Sequence, residues 1–319
     1  FFLYLMLKNL LFFLFTSLAS NNTFAQNTDE IYTTDINNFW IAYDSVNSTT
    51  DTAKQIFFIQ ALYLNKASDG LKDFMKLRRH SAKIHLQNIL DYPKFWESVR
   101  QNTLQIKNHA SDIGALIARL KKIYRYYKPV KIYFTIGVLN SGGTVSRRNI
   151  LIGAEIACAD KETNASELNP WLQKVFTTKG TVTAMVAHEI GHTQQHSGNS
   201  ENLLGQSIKE GACDFLAELI YKPVSSPYID YGNLHEKQIW SAFKKEMNDQ
   251  NYKNWLYNGN EAPGGVADLG YFIGYQICKS YYGNALNKKK AIRKIIGLKY
   301  NKKAALKFLI KSQYNEKPK

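Results

Sequence analysis

The chain has 319 residues and a formal net charge of +15, and 45% of its residues are hydrophobic and 13% aromatic. This length and composition exclude a largely disordered protein and allow one large domain or two small ones, each with a hydrophobic core. The three cysteines, Cys158, Cys213 and Cys278, form no CxxC motif, which excludes a dense disulfide framework. Composition alone leaves enzymatic, binding and structural roles open.

Residues 1–25 have the features of a secretory signal peptide. Their apolar run, Leu10–Leu18, is too short to span a bilayer comfortably, and Thr23-Phe24-Ala25 fits a small-residue cleavage site. An uncleaved membrane anchor is the alternative. No cysteine follows the apolar run, so lipid attachment is not expected there. We therefore expect an exported protein, periplasmic or extracellular, whose mature chain starts at Gln26.

Residues 26–128 are predicted to form a helical amino-terminal region. Asp51 can cap one helix, a second is expected over Leu71–Leu90, and Pro93 stands at the favoured first turn of a third. A fourth helix is expected to begin at Ser111. The region also contains three histidines without ligand spacing, and lone histidines are more often structural or exposed than metal ligands. These are His80, His85 and His109.

Residues 129–222 are predicted to form a smaller core that includes a β-sheet. Val130–Val138 is rich in β-branched and aromatic residues, and a Ser141-Gly142-Gly143 turn leads to a second strand over Asn149–Glu155. The second strand is the candidate edge of the sheet, to which an extended peptide could add by main-chain hydrogen bonds. An ordinary internal hairpin is nearly as consistent with this pattern.

The segment His188-Glu189-Ile190-Gly191-His192 follows the strands and predicts a metal site. A helix is expected to begin near Thr181, and on it two histidines four residues apart lie on one face. Their imidazoles can therefore bind one metal ion, and Glu189 lies close enough to take a proton from a water molecule. The pattern is typical of zinc peptidases.

A catalytic zinc ion needs three protein ligands and an open position. His196 is one candidate, but it lies about 12 Å along the same helix from His188, too far to share an ion. A metzincin would have its third histidine six residues after His192, where this chain has Gly198. Neither His196 nor a histidine six residues after His192 can therefore be the third ligand. The third ligand must come from another element.

A second helix, predicted from Asn202 to Tyr221, offers Glu210 as the third ligand. Asp214 lies one turn later on the same face, from where it could accept the free N–H of a ligating histidine. Cys213 lies between them and points off that face, which favours a buried structural cysteine. The predicted ligands of the zinc ion are His188, His192 and Glu210.

Residues 223–319 are predicted to be helical and to end in a basic tail. Between Asn284 and Lys319 there are twelve lysines and arginines and one acid, Glu316. Apolar residues interleave with these charges as in packed amphipathic helices, which favours a solvated face. Peripheral association with an anionic envelope surface is the alternative. No nucleic-acid-binding motif accompanies the tail, so nucleic acid is not an expected partner.

The metal-site residues together resemble the pattern of the gluzincins, zinc peptidases with two histidine ligands and one glutamate ligand. The matching residues are His188, Glu189, His192, Glu210 and Asp214. Lys209 stands where thermolysin-like members have asparagine. Gluzincins usually add a tyrosine or histidine that hydrogen-bonds the oxyanion. The resemblance therefore implies Tyr271 or Tyr275, on a helix predicted over Asp268–Tyr282, as a further catalytic residue.

Four further segments resemble a family of exported, zinc-dependent proteases of Bacteroidetes-type bacteria, which is related to gliding-motility lipoproteins. These are Asp35–Trp40, Tyr92–Trp96, Lys209–Ala212 and Gly270–Tyr275. The resemblance implies a mostly helical α+β fold with a zincin-like core, and a secreted zinc metallopeptidase that hydrolyses peptide or protein substrates. The alternative is a non-catalytic zinc-binding envelope protein acting in binding or assembly. A peptidase restricted to cell-wall peptides is a third hypothesis.

Overall fold

The computed structural model describes residues 29–314, apart from Lys179, Ser197 and Val224 and the side chains of residues 177 and 178. Helices form most of this part, and a four-stranded sheet accompanies them. The prediction of a mostly helical α+β protein with a small sheet is therefore confirmed. The predicted signal peptide lies outside the described residues. No helix of the described part is both long and apolar enough to cross a bilayer.

The described part of the amino-terminal region is mainly helical and contains a short strand that sequence patterns did not reveal, β1 (Glu30–Tyr32). Asp51 caps a helix as predicted, because its carboxylate accepts hydrogen bonds from the backbone N–H groups of Ala53 and Lys54. A π-helical turn (Ile59–Tyr63) continues that helix. The helices are α1 (Thr34–Asn47), α2 (Thr52–Phe58), α3 (Asp69–Arg78), α4 (Ala82–Asp91), α5 (Pro93–Leu104) and α6 (Ala110–Ile123).

The single helix predicted over Leu71–Leu90 is wrong, because the chain forms α3 and α4 there. Arg79 has a φ of 56°, and this left-handed conformation ends α3. Ser81 then starts the next helix by accepting a hydrogen bond from the backbone N–H of Ile84. The apolar periodicity continues through the break, which is why it did not show the interruption.

The sheet contains β1, β2 (Lys131–Thr135), β3 (Gly143–Ser146) and β4 (Asn149–Gly153), in the order β1-β2-β4-β3. β4 is parallel to β2 and antiparallel to β3, so it lies inside the sheet. The expectation that the strand over Asn149–Glu155 forms the edge is therefore wrong, and β3 is the edge strand on that side of the sheet. The uninterrupted burial of Ile150, Leu151 and Ile152 fits this internal position.

The remaining helices follow the sheet and form the second half of the molecule. They are α7 (Ala154–Ala157), α8 (Pro170–Thr178), α9 (Val182–Gln194), α10 (Leu203–Ile220), α11 (Pro227–Glu246), α12 (Leu269–Asn284), α13 (Lys288–Ile296) and α14 (Lys302–Ser312). On the two basic helices, α13 and α14, buried residues such as Ile292, Ile295 and Phe308 alternate with exposed lysines. These helices are amphipathic, as the interleaving predicts.

Two hydrophobic clusters meet at α10. The larger cluster joins the sheet to the amino-terminal helices and to Val186 and Ile190 of α9. The second joins α11, α12, α13 and α14, with Phe272 and Phe308 among its members. α10 contributes residues to both clusters. It is therefore held from two sides, which makes it a rigid support for polar side chains.

Three close contacts at glycines fix two neighbouring helices against α10. A Cβ on Gly211 would lie 1.9 Å from the backbone nitrogen of Tyr275, and one on Gly274 would lie 1.7 Å from the carbonyl oxygen of Ser207. A Cβ on Gly191 would lie 2.9 Å from the sulfur of Cys213. The glycines therefore let α12 and α9 approach α10 at backbone distance. This packing determines which side chains meet between the three helices.

Candidate metal centre

The two histidines of the HExxH segment converge as predicted. Thr181 caps α9 by accepting a hydrogen bond from the backbone N–H of Ala184, and the helix runs unbroken through the motif. His188 and His192 lie on one face, and their Nε2 atoms are 3.1 Å apart. Two imidazole nitrogens therefore point at the same volume.

α10 brings Glu210 to the same volume. Asn202 caps this helix by accepting a hydrogen bond from the backbone N–H of Gly205. Oε2 of Glu210 lies 3.6 Å from Nε2 of His188 and 3.0 Å from Nε2 of His192. Tetrahedral ligands at zinc–ligand distances of ~2.0–2.1 Å are about 3.3 Å apart. The spacing of the three atoms therefore fits a single small ion.

The outer nitrogens of both histidines are fixed by oxygen acceptors. Nδ1 of His188 lies 2.7 Å from Oδ1 of Asp214, and Nδ1 of His192 lies 3.0 Å from Oε1 of Gln195. Gln195 donates its amide to the carbonyl oxygen of Lys209, which turns its own oxygen towards the imidazole. Each Nδ1 therefore donates a proton outward, which leaves Nε2 as the nitrogen that faces the centre.

Sequence reasoning found Asp214 and missed Gln195. Asp214 also accepts a hydrogen bond from the hydroxyl of Tyr228 at 2.9 Å, so the carboxylate that orients His188 is itself held. Gln195 lies three residues after His192, immediately after the end of α9, so about one turn separates it from that histidine. That spacing is the signal that could have identified it.

Charges within the cluster dominate its ionisation. Burial alone would raise the pKa of Glu210, but the two imidazoles beside it lower that pKa well below its ordinary value. Burial alone would lower the pKa of His188, but Asp214 and Glu210 raise it well above its ordinary value. Glu210 likewise raises the pKa of His192 against the effect of burial. The carboxylates of Glu210 and Asp214 therefore surround the imidazoles with negative charge, and the site stabilises a positive charge at its centre.

Glu189 lies beside the cluster at the edge of the sheet. A Cβ on Gly143 of β3 would lie 2.6 Å from Oε1 of Glu189, so a side chain at this position would displace the carboxylate from where it now lies. Burial raises the pKa of Glu189, and His192 and His188 partly oppose that rise. The carboxyl group is therefore held close to the two histidines in a form that binds a proton more readily than an exposed glutamate.

The structure brings one of the two predicted tyrosines to the site and not the other. The ring of Tyr271 stacks on that of His188, with centroids 6.1 Å apart. The hydroxyl of Tyr275 instead donates to Glu218 and lies 2.7 Å from Nζ of Lys279, so it does not face the centre. The prediction for Tyr275 is corrected by the packing of α12. Tyr275 lies one turn after Tyr271 on α12, and there α12 packs against a later part of α10, where Glu218 lies.

Tyr257 is a third tyrosine at the site that sequence reasoning missed. Its hydroxyl donates to Oε1 of Glu210 at 2.7 Å and lies 2.6 Å from the side-chain nitrogen of Gln206. It comes from the loop between α11 and α12, has a φ of 59°, and its side chain is exposed. No helical spacing connects this loop to the motif, so the sequence contained no usable signal.

Cys213 lies close to the same ligands. One ligand atom each from His188, His192 and Cys213 lies within 4.8 Å of the others, so this group could also hold a metal ion. The thiol is fully buried against Gly191, and its sulfur is 3.6 Å from the carbonyl oxygen of Lys209. Burial, and then Glu210 and the other nearby carboxylates, raise the pKa of Cys213 well above its ordinary value. The thiol form is therefore strongly favoured in the protein alone.

The centre opens into a cleft of about 1490 Å³. His188, Glu189, His192 and Glu210 all line it, together with residues of β3. A second cavity of about 270 Å³ adjoins it, is bounded by His188 and Asp214, and is otherwise lined largely by apolar groups of α8, α9 and α10. The cluster is therefore accessible to a ligand larger than a single ion.

Fold and site together define a mostly helical α+β protein in which an HExxH helix and a carboxylate-bearing helix form a candidate metal centre. The family model for gliding motility protein GldB matches residues 22–316, and the chain belongs to this family. Membership confirms the predicted kinship to gliding-motility lipoproteins and implies an exported, envelope-associated protein. No curated protein and no solved structure matches the chain.

Proposed function

We propose that the protein is an exported zinc metallopeptidase of the gluzincin type, built on a zincin-like core and acting in the periplasm or outside the cell. One observation carries the proposal. Nε2 of His188, Nε2 of His192 and Oε2 of Glu210 lie between 3.0 and 3.6 Å of one another, and both imidazoles are oriented from behind. Polar side chains that lie together by coincidence would not be expected to direct three ligand atoms at one point.

The donor set fits zinc better than other common ions. Two imidazole nitrogens and one carboxylate are the ligands of several catalytic zinc sites, which leave a further position open. Glu210 is the better third ligand than Cys213, because its carboxylate is held ionised and its Oε2 lies within 3.6 Å of both Nε2 atoms. Zinc bound there would lower the pKa of a coordinated water to about 7 and polarise a substrate carbonyl.

The roles of the neighbouring groups follow from their positions. Glu189 takes the proton of the attacking water and passes it to the leaving amine, and its raised pKa suits both transfers. Asp214 and Gln195 keep the two imidazoles in the tautomer that presents Nε2. Tyr271 lines the cleft and is the candidate donor to the oxyanion of the tetrahedral intermediate, whereas Tyr257 donates to Glu210 and holds that ligand in place.

The shape of the cleft supports a peptide substrate. β3 is the edge of the sheet and lies directly beside Glu189, so an extended peptide could pair with it by main-chain hydrogen bonds. The adjoining cavity of about 270 Å³ could receive an apolar side chain of that peptide. Both features lie next to the groups that would perform the hydrolysis.

The test compares the purified mature protein with its Glu189→Gln variant, both loaded with zinc. We expect one zinc ion per chain in each by metal analysis. We also expect cleavage of a quenched fluorescent peptide library by the unmodified protein alone, with loss of about a thousandfold or more of the rate in the variant. Cleavage that persists in Glu189→Gln, or no cleavage by either zinc-loaded protein, contradicts the proposal.

A non-catalytic envelope protein that uses the zinc site for binding or assembly is the second candidate. Membership of the family of gliding motility protein GldB favours it. Glu189 argues against it, since a purely structural zinc site has no use for an additional buried carboxylate beside the ligands. Zinc binding by the unmodified protein together with complete failure to cleave the library would support this second candidate.

A further inference from the structure

One wall of the cleft carries a concentration of cationic side chains. Arg147 and Arg148 form the two-residue turn between β3 and β4, Arg78 ends α3, and Lys128 lies between α6 and β2. All four are exposed and line the cleft. They therefore surround the approach to the strand edge beside Glu189.

The charge of this wall is not neutralised within the protein. None of the four cations has a salt-bridge partner in the part of the chain that the structure describes. Three acids of the cleft are otherwise engaged: Glu210 contacts the two histidines, Asp268 accepts the backbone N–H of Tyr257 at 2.6 Å, and Glu261 lies 3.5 Å from Lys253. The fourth, Glu189, is close enough to Arg78 to feel its charge, so one carboxylate stands against the four cations. The charge left available to a ligand is therefore positive.

Arg147 occupies a backbone conformation that arginine does not favour. Its φ of 57° lies in the left-handed region, where two-residue hairpin turns prefer asparagine, aspartate or glycine. An arginine there costs conformational free energy that asparagine would avoid. The geometry of the turn therefore does not by itself explain why an arginine stands at this position.

We infer that the cleft selects peptides with acidic residues, a substrate preference that rests on the proposed peptidase function. A peptide paired with β3 beside Gly143 and Glu189 would pass Arg147 four residues further along the strand. At ~3.3 Å per residue, this distance is about 13 Å. The preferred acidic residue therefore lies about four positions from the bond that is cut. Guanidinium groups can bind its carboxylate in a bidentate manner.

Other polyanions would also be attracted to exposed arginines, but the position of these residues favours a peptide. They lie at the end of a strand with an unpaired edge, which offers main-chain hydrogen bonds as well as charge. A nucleic acid or a membrane surface has no main chain to pair with that edge. Binding of either is therefore an outcome that the experiment must distinguish.

The experiment uses two quenched fluorescent peptide libraries of equal length, one rich in aspartate and glutamate and the other with asparagine and glutamine at the same positions. The test variant is Arg147→Asn/Arg148→Gln, in which asparagine suits the turn and protects folding. The matched control is Lys303→Gln/Lys307→Gln on α14, which removes the same charge from an exposed face away from the cleft lining. Zinc-loaded proteins are compared by kcat/KM, and peptide binding is measured in parallel by fluorescence polarisation.

We expect the unmodified protein and the α14 variant to cleave the acidic library about tenfold faster than the neutral one, since each exposed ion pair contributes a few-fold. The turn variant is expected to reduce this ratio to below about threefold. Equal cleavage of both libraries by the unmodified protein overturns the inference and leaves the peptidase function standing. Acidic peptides that bind through the two arginines without being cleaved would support the inference and contradict the peptidase function. Tighter binding of single-stranded DNA or anionic vesicles through the same arginines overturns the inference.

Discussion

Among the residues that the structure describes, two clusters that combine histidines with a carboxylate can be compared, and one of them has the geometry of a site. In the metal centre, two Nε2 atoms converge with a carboxylate oxygen and both Nδ1 atoms have acceptors. In the amino-terminal half, the ring centroids of His80 and His85 lie 5.4 Å apart, and the carboxylate of Glu155 and the ring of His80 both border Gly137. Residue composition alone would not distinguish the two.

The second cluster differs in how its polar atoms are used. Neither nitrogen of His85 has a hydrogen-bond partner among the described residues, and burial lowers its pKa to about 3. Glu155 accepts the backbone N–H groups of Gly137 and Leu139, and burial raises its pKa to about 7. The polar atoms of this second cluster therefore face the backbone and packed rings rather than one common point. The difference shows that convergence and outward anchoring, not residue type, define a metal centre.

The largest expected effect is on zinc affinity. We expect His192→Ala to weaken zinc binding about a thousandfold or more, because it removes one of three ligands from a site worth on the order of 10 kcal/mol. His85→Leu, a substitution in the other cluster, is expected to leave zinc affinity unchanged. Competition with a chromophoric chelator measures both. Equal losses in the two variants would remove the distinction between the clusters.

The second prediction concerns the pH dependence of stability. The pKa of Glu155 is about 7 in the folded protein and 4.5 in the reference state, so its contribution is fully present below pH 4.5 and is lost as the pH rises through 7. Between pH 5 and 8 the unmodified protein should lose on the order of 3 kcal/mol relative to Glu155→Gln. Urea unfolding at both pH values measures this difference. Glu162→Gln, at an exposed acid, is the control, and identical pH slopes in all three proteins would contradict the prediction.

The third prediction tests the group behind His188. Asp214→Asn should reduce zinc affinity about 10- to 100-fold, since an amide orients the imidazole less strongly than a carboxylate. Glu218→Gln, one turn further along α10, contacts Tyr275 and Lys279 instead and should change the affinity less than twofold. Isothermal titration with a competing chelator compares the two. An unchanged affinity in Asp214→Asn would mean that the contact at 2.7 Å does not support the ligand.

The smallest effect distinguishes the tyrosines. Tyr257→Phe removes a hydrogen bond to Glu210 and is expected to lower kcat/KM by about tenfold, while Tyr275→Phe leaves it unchanged. Both variants keep the aromatic ring, so their stabilities should differ little from that of the unmodified protein. Steady-state cleavage of the acidic peptide library gives the comparison. A loss in Tyr275→Phe would mean that α12 presents the other face to the cleft.

Local patterns predicted the metal-site elements well because each depends on short-range rules. Thr181 and Asn202 stand at the caps of α9 and α10, and the four-residue spacings of His188 with His192 and of Glu210 with Asp214 place each pair on one helical face. The packing of α9 on α10 depends on the close contact of Gly191 with Cys213. From a single sequence, this packing could be expected only through a family resemblance.

The features that the sequence did not reveal depend on contacts between distant segments. The edge position of β3 follows from the parallel pairing of β2 with β4, which no local pattern encodes. Tyr271 reaches the metal centre and Tyr275 does not, because of the way α12 packs on α10. Tyr257 reaches Glu210 from a loop 47 residues away along the chain. Tertiary packing determined each of these outcomes.

The most direct test of the metal centre is the X-ray absorption spectrum of the protein loaded with one equivalent of zinc. The proposed ligands predict a first shell of nitrogen and oxygen atoms only, at ~2.0–2.1 Å, with the outer-shell signal of two imidazoles. A sulfur neighbour at ~2.3 Å would show that Cys213 rather than Glu210 is the third ligand. A spectrum without imidazole scattering would contradict the two-helix centre altogether.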